Sequence, residues 1–196
     1  MKIYLIRHGQ TTGDIEDRYG GAYDDLLSEK GREQIKELAE KLKGKNIEII
    51  FHSPLTRAKE TAQFVGHFIG AKLVEIENLK ERNQYGVLSG LTKKEAKEKF
   101  PQEVEKLKVH PYLNYVTDSE SYEDFVPRIV KAFEEIVANE EYETIAIITH
   151  GGPIKALFRE FFQLGEFKEI NDCAIIEINK EDHAYGVVAM DGAELK

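Results

Sequence analysis

Three points in the chain set a basic side chain directly behind a short apolar run. Ile3-Tyr4-Leu5-Ile6 leads into Arg7-His8-Gly9, the run 47–51 leads through His52-Ser53-Pro54 to Arg57, and the run 144–149 ends in His150-Gly151-Gly152. Arginine presents a planar fork matched to phosphate oxygens, and glycine beside a histidine lets backbone amides approach an anion unobstructed. Two arginines and two histidines sharing one mouth therefore read as a phosphate site. A histidine held there can attack phosphorus through a ring nitrogen if the arginines offset charge on the transferring group. The leaving oxygen then needs a proton. Glu81, in Asn78-Leu79-Lys80-Glu81-Arg82 at the head of a polar, glycine-containing loop, is the carboxylic acid placed to supply it.

Those residues need a scaffold, and the hydrophobic pattern supplies one. The runs 3–6, 47–51 and 144–149 have the length and β-branched content of buried strands, and 73–76 is a further short one. Between them apolar residues recur at helical spacing: Ile35, Leu38, Ala39 and Leu42 form one stripe, and Ala58, Ala62 and Val65 another. Ser28 caps the first of these helices, Thr92 with Glu95 reads as a capping box, and Phe100-Pro101 breaks that third helix. A fourth helix is expected over about 123–138, with Asp124 as its cap so that Pro127 falls in the first turn, where amides lack intrahelical acceptors. A last helix is expected over 154–162, and 173–178 with 185–189 read as two closing strands joined as a hairpin across 179–183. Strands alternating with helices predict a three-layer α/β/α sandwich around a mostly parallel sheet, in which ligands bind beyond the strands' carboxyl ends.

Composition narrows the chemistry. The 196 residues are 41% hydrophobic and 32% charged, which fits one globular domain over 1–196. Lys plus Arg number 27 against 36 Asp plus Glu, a net charge of −9, so the overall field repels nucleic acid and anionic membranes. The lysines among 93–99 alternate with glutamate as on a solvated helix face. Any anionic substrate must be held by a local cluster. No apolar run reaches the roughly 18–20 residues of a membrane span, and the amino terminus turns polar too early for a signal peptide, so the expected location is cytoplasmic. A single cysteine, Cys173, excludes an intramolecular disulfide and a cysteine-based zinc cluster. His67, His110 and His183 have no visible partner and read as structural.

The residues resemble the histidine phosphatase superfamily, also called the phosphoglycerate mutase-like or RHG family, over nearly the whole chain. The resemblance rests on Leu5-Ile6-Arg7-His8-Gly9-Gln10-Thr11, Leu27-Ser28-Glu29-Lys30-Gly31 with Gln34, and Ser53-Pro54-Leu55-Thr56-Arg57-Ala58 followed by Glu60-Thr61-Ala62. It continues through Leu79-Lys80-Glu81 before Gly86, Glu120-Ser121-Tyr122-Glu123-Asp124 with Arg128, and Thr149-His150-Gly151-Gly152. It implies that His8 is the nucleophile, Glu81 the proton donor and later base, and Arg7, Arg57 and His150 the phosphate pocket. Gln10, Thr11, Gly21 and the amide of Gly151 would surround the transferring group, and Arg82, Tyr85 and Lys93 would line the substrate's remote end. It implies no metal and no cofactor. Tyr112, Leu113, Tyr115 and Val116 fall where the family has a variable lid, here around 80–120, and read either as that lid or as plain packing.

Two positions depart from the family pattern. Asp14 stands where relatives have asparagine in contact with phosphate, and a carboxylate there would repel a dianion. It is therefore left out of the binding set: either it is turned away or protonated, or the loop has another shape. His52 replaces a serine or threonine, and a third histidine near the mouth could tune phosphate affinity with pH.

The pocket must choose between water and a second substrate position as phosphoryl acceptor. Glu81-Arg82-Asn83-Gln84-Tyr85-Gly86 with Gly90-Leu91-Thr92-Lys93 is similar to the cofactor-dependent mutase pattern with one residue inserted. Such mutases are longer and carry adjacent arginines before the next block, whereas no arginine occurs here between Arg82 and Arg128. The stretch from Gly90 through Phe100-Pro101, with Glu120-Ser121-Tyr122-Glu123-Asp124, is similar to the fructose-2,6-bisphosphatase branch and to broad sugar-phosphate phosphatases. The expected activity is hydrolysis of small phosphomonoesters such as sugar or sugar-acid phosphates, with a phosphoglycerate mutase as the alternative and a non-enzymatic phospho-ligand binding protein as the second. The expected partner is a small phosphorylated substrate, and the sequence leaves the oligomeric state open.

Overall fold

The computed structural model describes residues 1–108, 116–182 and 184–196. In chain order the strands are β1 (Lys2–Arg7), β2 (Ile49–His52), β3 (Lys72–Glu75), β4 (Thr144–Thr149), β5 (Phe167–Glu181) and β6 (Ala184–Leu195). The helices are α1 (Thr12–Ile15), α2 (Glu29–Leu42), α3 (Thr56–Ile69), α4 (Lys93–Lys99), α5 (Pro101–Lys106), α6 (Tyr122–Val137) and α7 (Gly151–Ala156). The strands form one sheet in the order β3-β2-β4-β1-β5-β6. The β1, β2, β3 and β4 pairings are parallel, and β5 and β6 add antiparallel.

Alternation along the inner strands loads both faces of the sheet, as period-2 side chains require. Ile3, Leu5, Ile145 and Ile147 pack with Phe125, Ile129 and Phe133 of α6 and with Ile154 of α7. Tyr4, Ile6, Ala146 and Ile148 pack on the opposite face with Leu38 and Leu42 of α2 and with Ala58, Ala62 and Val65 of α3. The result is the expected α/β/α sandwich, and both helical stripes are buried as read. Ser28 caps α2 by accepting from the Gly31 amide at 2.9 Å, and Thr92 and Glu95 form the capping box of α4. A separate small cluster of Leu88, Ala96 and Val116 packs against Tyr19, Tyr85 and Leu91. The lid expected around 80–120 includes residues 109–115, among them Tyr112, Leu113 and Tyr115, which lie outside the described residues, as do His110 and His183.

Three boundaries differ from expectation. The cap of α6 is Ser121, whose Oγ accepts from the Asp124 amide at 3.0 Å, so Pro127 lies inside the helix. That is tolerated because Pro127 and Glu123 are both exposed, and water can satisfy the Glu123 carbonyl that loses its helical donor. The last helix starts at Gly151, directly behind His150, and passes into a π turn at Leu157–Phe161 instead of running as α-helix over 154–162. Strands β5 and β6 are much longer than 173–178 and 185–189, because their outer residues are charged and one face is solvated, which hides the apolar run. The β5–β6 register shifts between Ile170 and Ile175, where Cys173 has φ of 56°. This bulge aims Ile170 and Asp172 at the first strand's end.

Candidate active site

Sheet register assembles the site. Arg7 pairs with Thr149 and His52 with Ile148, so the next residues, His8, Ser53 and His150, leave the same sheet edge side by side. The His8 amide donates to the Thr149 carbonyl at 3.1 Å, the Ser53 amide to the Ile148 carbonyl at 3.1 Å, and the rings of His8 and His150 meet edge to face at 4.9 Å.

The tautomer of His8 is fixed from both sides. Its Nδ1 lies 2.7 Å from the Gly9 carbonyl, which can only accept, and its Nε2 lies 3.1 Å from Arg57 Nε, which can only donate. The proton therefore sits on Nδ1, and Nε2 carries the lone pair. Burial, then the charges of Arg57 and Arg7, hold the His8 pKa well below 6.5, so the ring is neutral. The same causes, with Arg57 first among the charges, lower His150 well below 6.5. His150 Nε2 lies 2.8 Å from Ser53 Oγ, and its Nδ1 is buried without a hydrogen-bond partner among the described residues.

Arg57, in the first turn of α3, is 4% exposed and almost fully engaged. Nη1 donates to the Tyr23 carbonyl at 2.6 Å and to Asp25 Oδ1 at 2.8 Å, and Nη2 donates to the Gly21 carbonyl at 2.7 Å. Asp25 is itself 6% exposed, which makes this a buried ion pair. Gly13 makes room for it: a Cβ on Gly13 would lie 2.5 Å from Asp25 Oδ2. Arg7 is tied down by β5, donating through Nη1 to the Ile170 carbonyl at 2.6 Å and pairing through Nη2 with Asp172 at 3.2 Å. Its Nε is buried without a hydrogen-bond partner among the described residues.

Glu81 faces these groups across the cavity. Oε1 accepts from the Arg82 amide at 2.8 Å and Oε2 from the Gly152 amide at 2.9 Å. Arg128 holds its loop, donating to the carbonyls of Asn78 at 3.0 Å, Lys80 at 2.9 Å and Glu81 at 3.2 Å. The same guanidinium pairs at two points with Glu120, at 2.6 and 2.9 Å, and Thr149 Oγ1 donates to the Leu79 carbonyl at 2.7 Å. Glu81 is thus positioned by α6, β4 and α7 together.

A cavity of about 360 Å³ opens between these elements, lined by Arg7, His8, Glu81, Arg82, Gln84, Tyr122, Phe125, Gly151, Gly152, Lys155, Arg159 and Ile170. Of the other residues singled out in the sequence, Gln10 accepts from Ser28 through its side-chain oxygen, and Thr11 caps α1. Gly21 reaches the site through its carbonyl on Arg57. Tyr85 packs on Tyr19, and Lys93 pairs with Asp17; neither lines the cavity. Asp14 is turned into its own loop, where its carboxylate accepts from the Thr11 amide and hydroxyl, each at 2.9 Å. His52 is buried and donates through Nδ1 to the Ser53 carbonyl at 2.9 Å, and His67 is exposed on α3.

Sequence reasoning missed Asp25, Asp172, the Ser53 contact to His150 and the specific role of Gly152, as well as Lys155 and Arg159 on the cavity wall. Lys155 was detectable in principle, because it lies four residues after Gly151 and therefore shares its helix face. Asp25 gave no such signal.

Residues 3–191 match the model of the histidine phosphatase superfamily, branch 1. Phosphoserine phosphatase 1 of Hydrogenobacter thermophilus is 27% identical over 158 residues, covering 81% of this chain and 74% of that protein. A 2,3-bisphosphoglycerate-dependent phosphoglycerate mutase of Bartonella tribocorum is 32% identical over 162 residues, 79% of this chain and 78% of that protein. Among solved structures, Bacillus stearothermophilus YhfR superposes with a TM-score of 0.84 at 28% identity, over 95% of this chain and 94% of that one. With its family pattern spanning nearly the whole chain and its motif residues gathered at one sheet edge, the protein belongs to the histidine phosphatase superfamily, branch 1.

Proposed function

We propose that the protein is a phosphomonoesterase that hydrolyses small phosphorylated metabolites, such as sugar or sugar-acid phosphates, through a phosphohistidine on His8. The observation that carries this reading is the state of His8: neutral, with its Nε2 lone pair fixed, in a cavity it shares with Arg7 and Glu81. Similarity to phosphatases that act on small phosphorylated compounds supports it.

In the first step Nε2 attacks phosphorus in line, the bond from phosphorus to the ester oxygen breaks, and Glu81 gives its proton to the departing alcohol. The ring gains positive charge, which the Gly9 carbonyl on Nδ1–H stabilises. Arg57 Nε–H, released from the lone pair once phosphorus takes that place, is left beside a phosphoryl oxygen, so its hydrogen bond strengthens as the reaction proceeds. Arg7 Nε and His150 Nδ1, both buried and without a hydrogen-bond partner among the described residues, are further positions for phosphoryl oxygens. In the second step the Glu81 carboxylate takes a proton from water, which attacks phosphorus and releases phosphate and neutral His8.

The mutase reading keeps specific support in the 32% identity to a mutase and in the similarity of 81–86 and 90–93 to the mutase pattern. Both are tested by phosphorus NMR of the chelator-treated protein with a panel of phosphomonoesters including 3-phosphoglycerate, with and without 2,3-bisphosphoglycerate. Inorganic phosphate should grow without positional isomers, and His8→Ala should abolish it. Bisphosphate-stimulated 2-phosphoglycerate would replace the phosphatase reading with the mutase one.

A further inference from the structure

The neutral ring of His150 has one proton and two nitrogens to hold it, and the hydroxyl of Ser53 bears on which one does. Burial, then the charge of Arg57, keeps the ring neutral. Ser53 and His150 are both fully buried, and Ser53 Oγ lies 2.8 Å from His150 Nε2. The same Oγ accepts from the Leu55 amide at 3.2 Å, the next amide along the chain, since Pro54 has none. A hydroxyl carries one hydrogen and two lone pairs, so with one lone pair on Leu55 two arrangements remain. If Nε2 held the proton, Oγ would accept twice, and its own hydrogen would have no acceptor among the described residues. The Nδ1 lone pair would be a second orphan. If Ser53 donates to Nε2 instead, only Nδ1–H is left unmatched. Unmatched buried polar groups are costly, so the arrangement with one orphan prevails over that with two.

We propose that Ser53 is a positioning residue for phosphoryl transfer: by donating to Nε2 it fixes the Nδ1–H tautomer of His150, so that this ring offers a proton to a phosphoryl oxygen. The inference rests on the phosphatase reading and names the group that sets this donor. Ser53 is itself held firmly. Its amide donates to the Ile148 carbonyl at 3.1 Å, and its carbonyl accepts from His52 Nδ1 at 2.9 Å. His8 and His150 then hold the same tautomer to opposite effect. On His8 the Nδ1 proton is taken by the Gly9 carbonyl, which leaves the Nε2 lone pair for phosphorus. On His150 the Nε2 lone pair is taken by Ser53, which leaves the Nδ1 proton for oxygen. With the other tautomer a lone pair would meet the phosphoryl oxygen, and attraction would turn to repulsion.

The test reads the tautomer directly. In protein carrying isotopically labelled histidine, a long-range proton–nitrogen correlation spectrum at neutral pH separates protonated from bare ring nitrogens, and His150→Gln identifies the His150 signals by their loss. The wild-type protein should show His150 protonated on Nδ1 and bare on Nε2, and Ser53→Ala should show a mixture of the two forms. For p-nitrophenyl phosphate, Ser53→Ala should lower kcat about tenfold with KM changed less than about twofold, a fraction of the 10²–10³-fold cost of deleting a transition-state donor outright. In a His150→Gln background the same substitution should cost nothing further, because Ser53 acts through that ring. Wild-type His150 protonated on Nε2 would overturn the proposal, as would losses that simply multiply in the double variant. If Ser53→Ala fails to fold, the wild-type spectrum decides alone. Failure of the wild-type protein to turn over p-nitrophenyl phosphate would instead strike the phosphatase reading. The donor role is then read by adding inorganic phosphate, which should move the His150 Nδ1 proton signal; no movement at saturating phosphate would overturn it.

Discussion

Gly152 and Glu81 are locked to each other. The Gly152 amide donates to Glu81 Oε2 at 2.9 Å, and a Cβ on Gly152 would lie 2.0 Å from Glu81 Oε1. The glycine is needed here for space, since any side chain must displace the carboxylate. Gly152→Ala should therefore behave as a partial loss of Glu81. We expect kcat to fall by about 10²-fold for alkyl phosphates, the low end of a proton-transfer contribution, with an unchanged circular dichroism spectrum. The loss should be much smaller for p-nitrophenyl phosphate, whose leaving group needs little protonation. Equal losses on both substrates would detach Gly152 from proton transfer.

Asp25 should matter to stability through Arg57. Removing one partner of a buried pair leaves an uncompensated charge, so Asp25→Ala should lose about 3–5 kcal/mol of unfolding free energy in urea titration. Gly13→Ala, which pushes a methyl group against the same carboxylate, should act in the same direction and more weakly.

Arg128 does not itself line the cavity, yet it binds three carbonyls of the Glu81 loop. Arg128→Lys keeps the charge but cannot span Glu120 and those carbonyls together. We expect kcat to fall by roughly 10²-fold, the cost of about 1 Å of misplacement, with KM little changed. A pure rise in KM would assign Arg128 to substrate binding instead.

The depressed pKa values of His8 and His150 set a direction for pH. Unfolded, each titrates near 6.5; folded, each stays neutral well below that. Between those limits the unfolded chain binds more protons, so the stability these rings contribute is complete above pH 6.5 and is lost as pH falls toward their folded values. Each contributes up to about 1.4 kcal/mol per pH unit in that window. Unfolding free energy should drop between pH 7 and pH 5, and His150→Gln should flatten the drop. The lowered value also keeps the His8 lone pair available, so the acid limb of kcat/KM that reports His8 should lie well below pH 6.5.

Elements that depend on local pattern are legible in the amino-acid order alone. The buried runs of β1 and β4, the apolar stripes of α2 and α3, and the caps at Ser28 and Thr92 could all be read, because period and capping act within a few residues. The motif residues were also legible as types. What each one does to the next depends on the folded arrangement. The hydrogen bond from Arg57 to His8 spans 49 residues, that from Gly152 to Glu81 spans 71, and that between His150 and Ser53 spans 97. Parallel register, not local propensity, brings these partners together, since strands that pair in parallel are joined only through intervening helices. Asp25 is the extreme case: its sequence surroundings are those of a surface loop, and only the closure of that loop over Arg57 makes it a buried counter-charge.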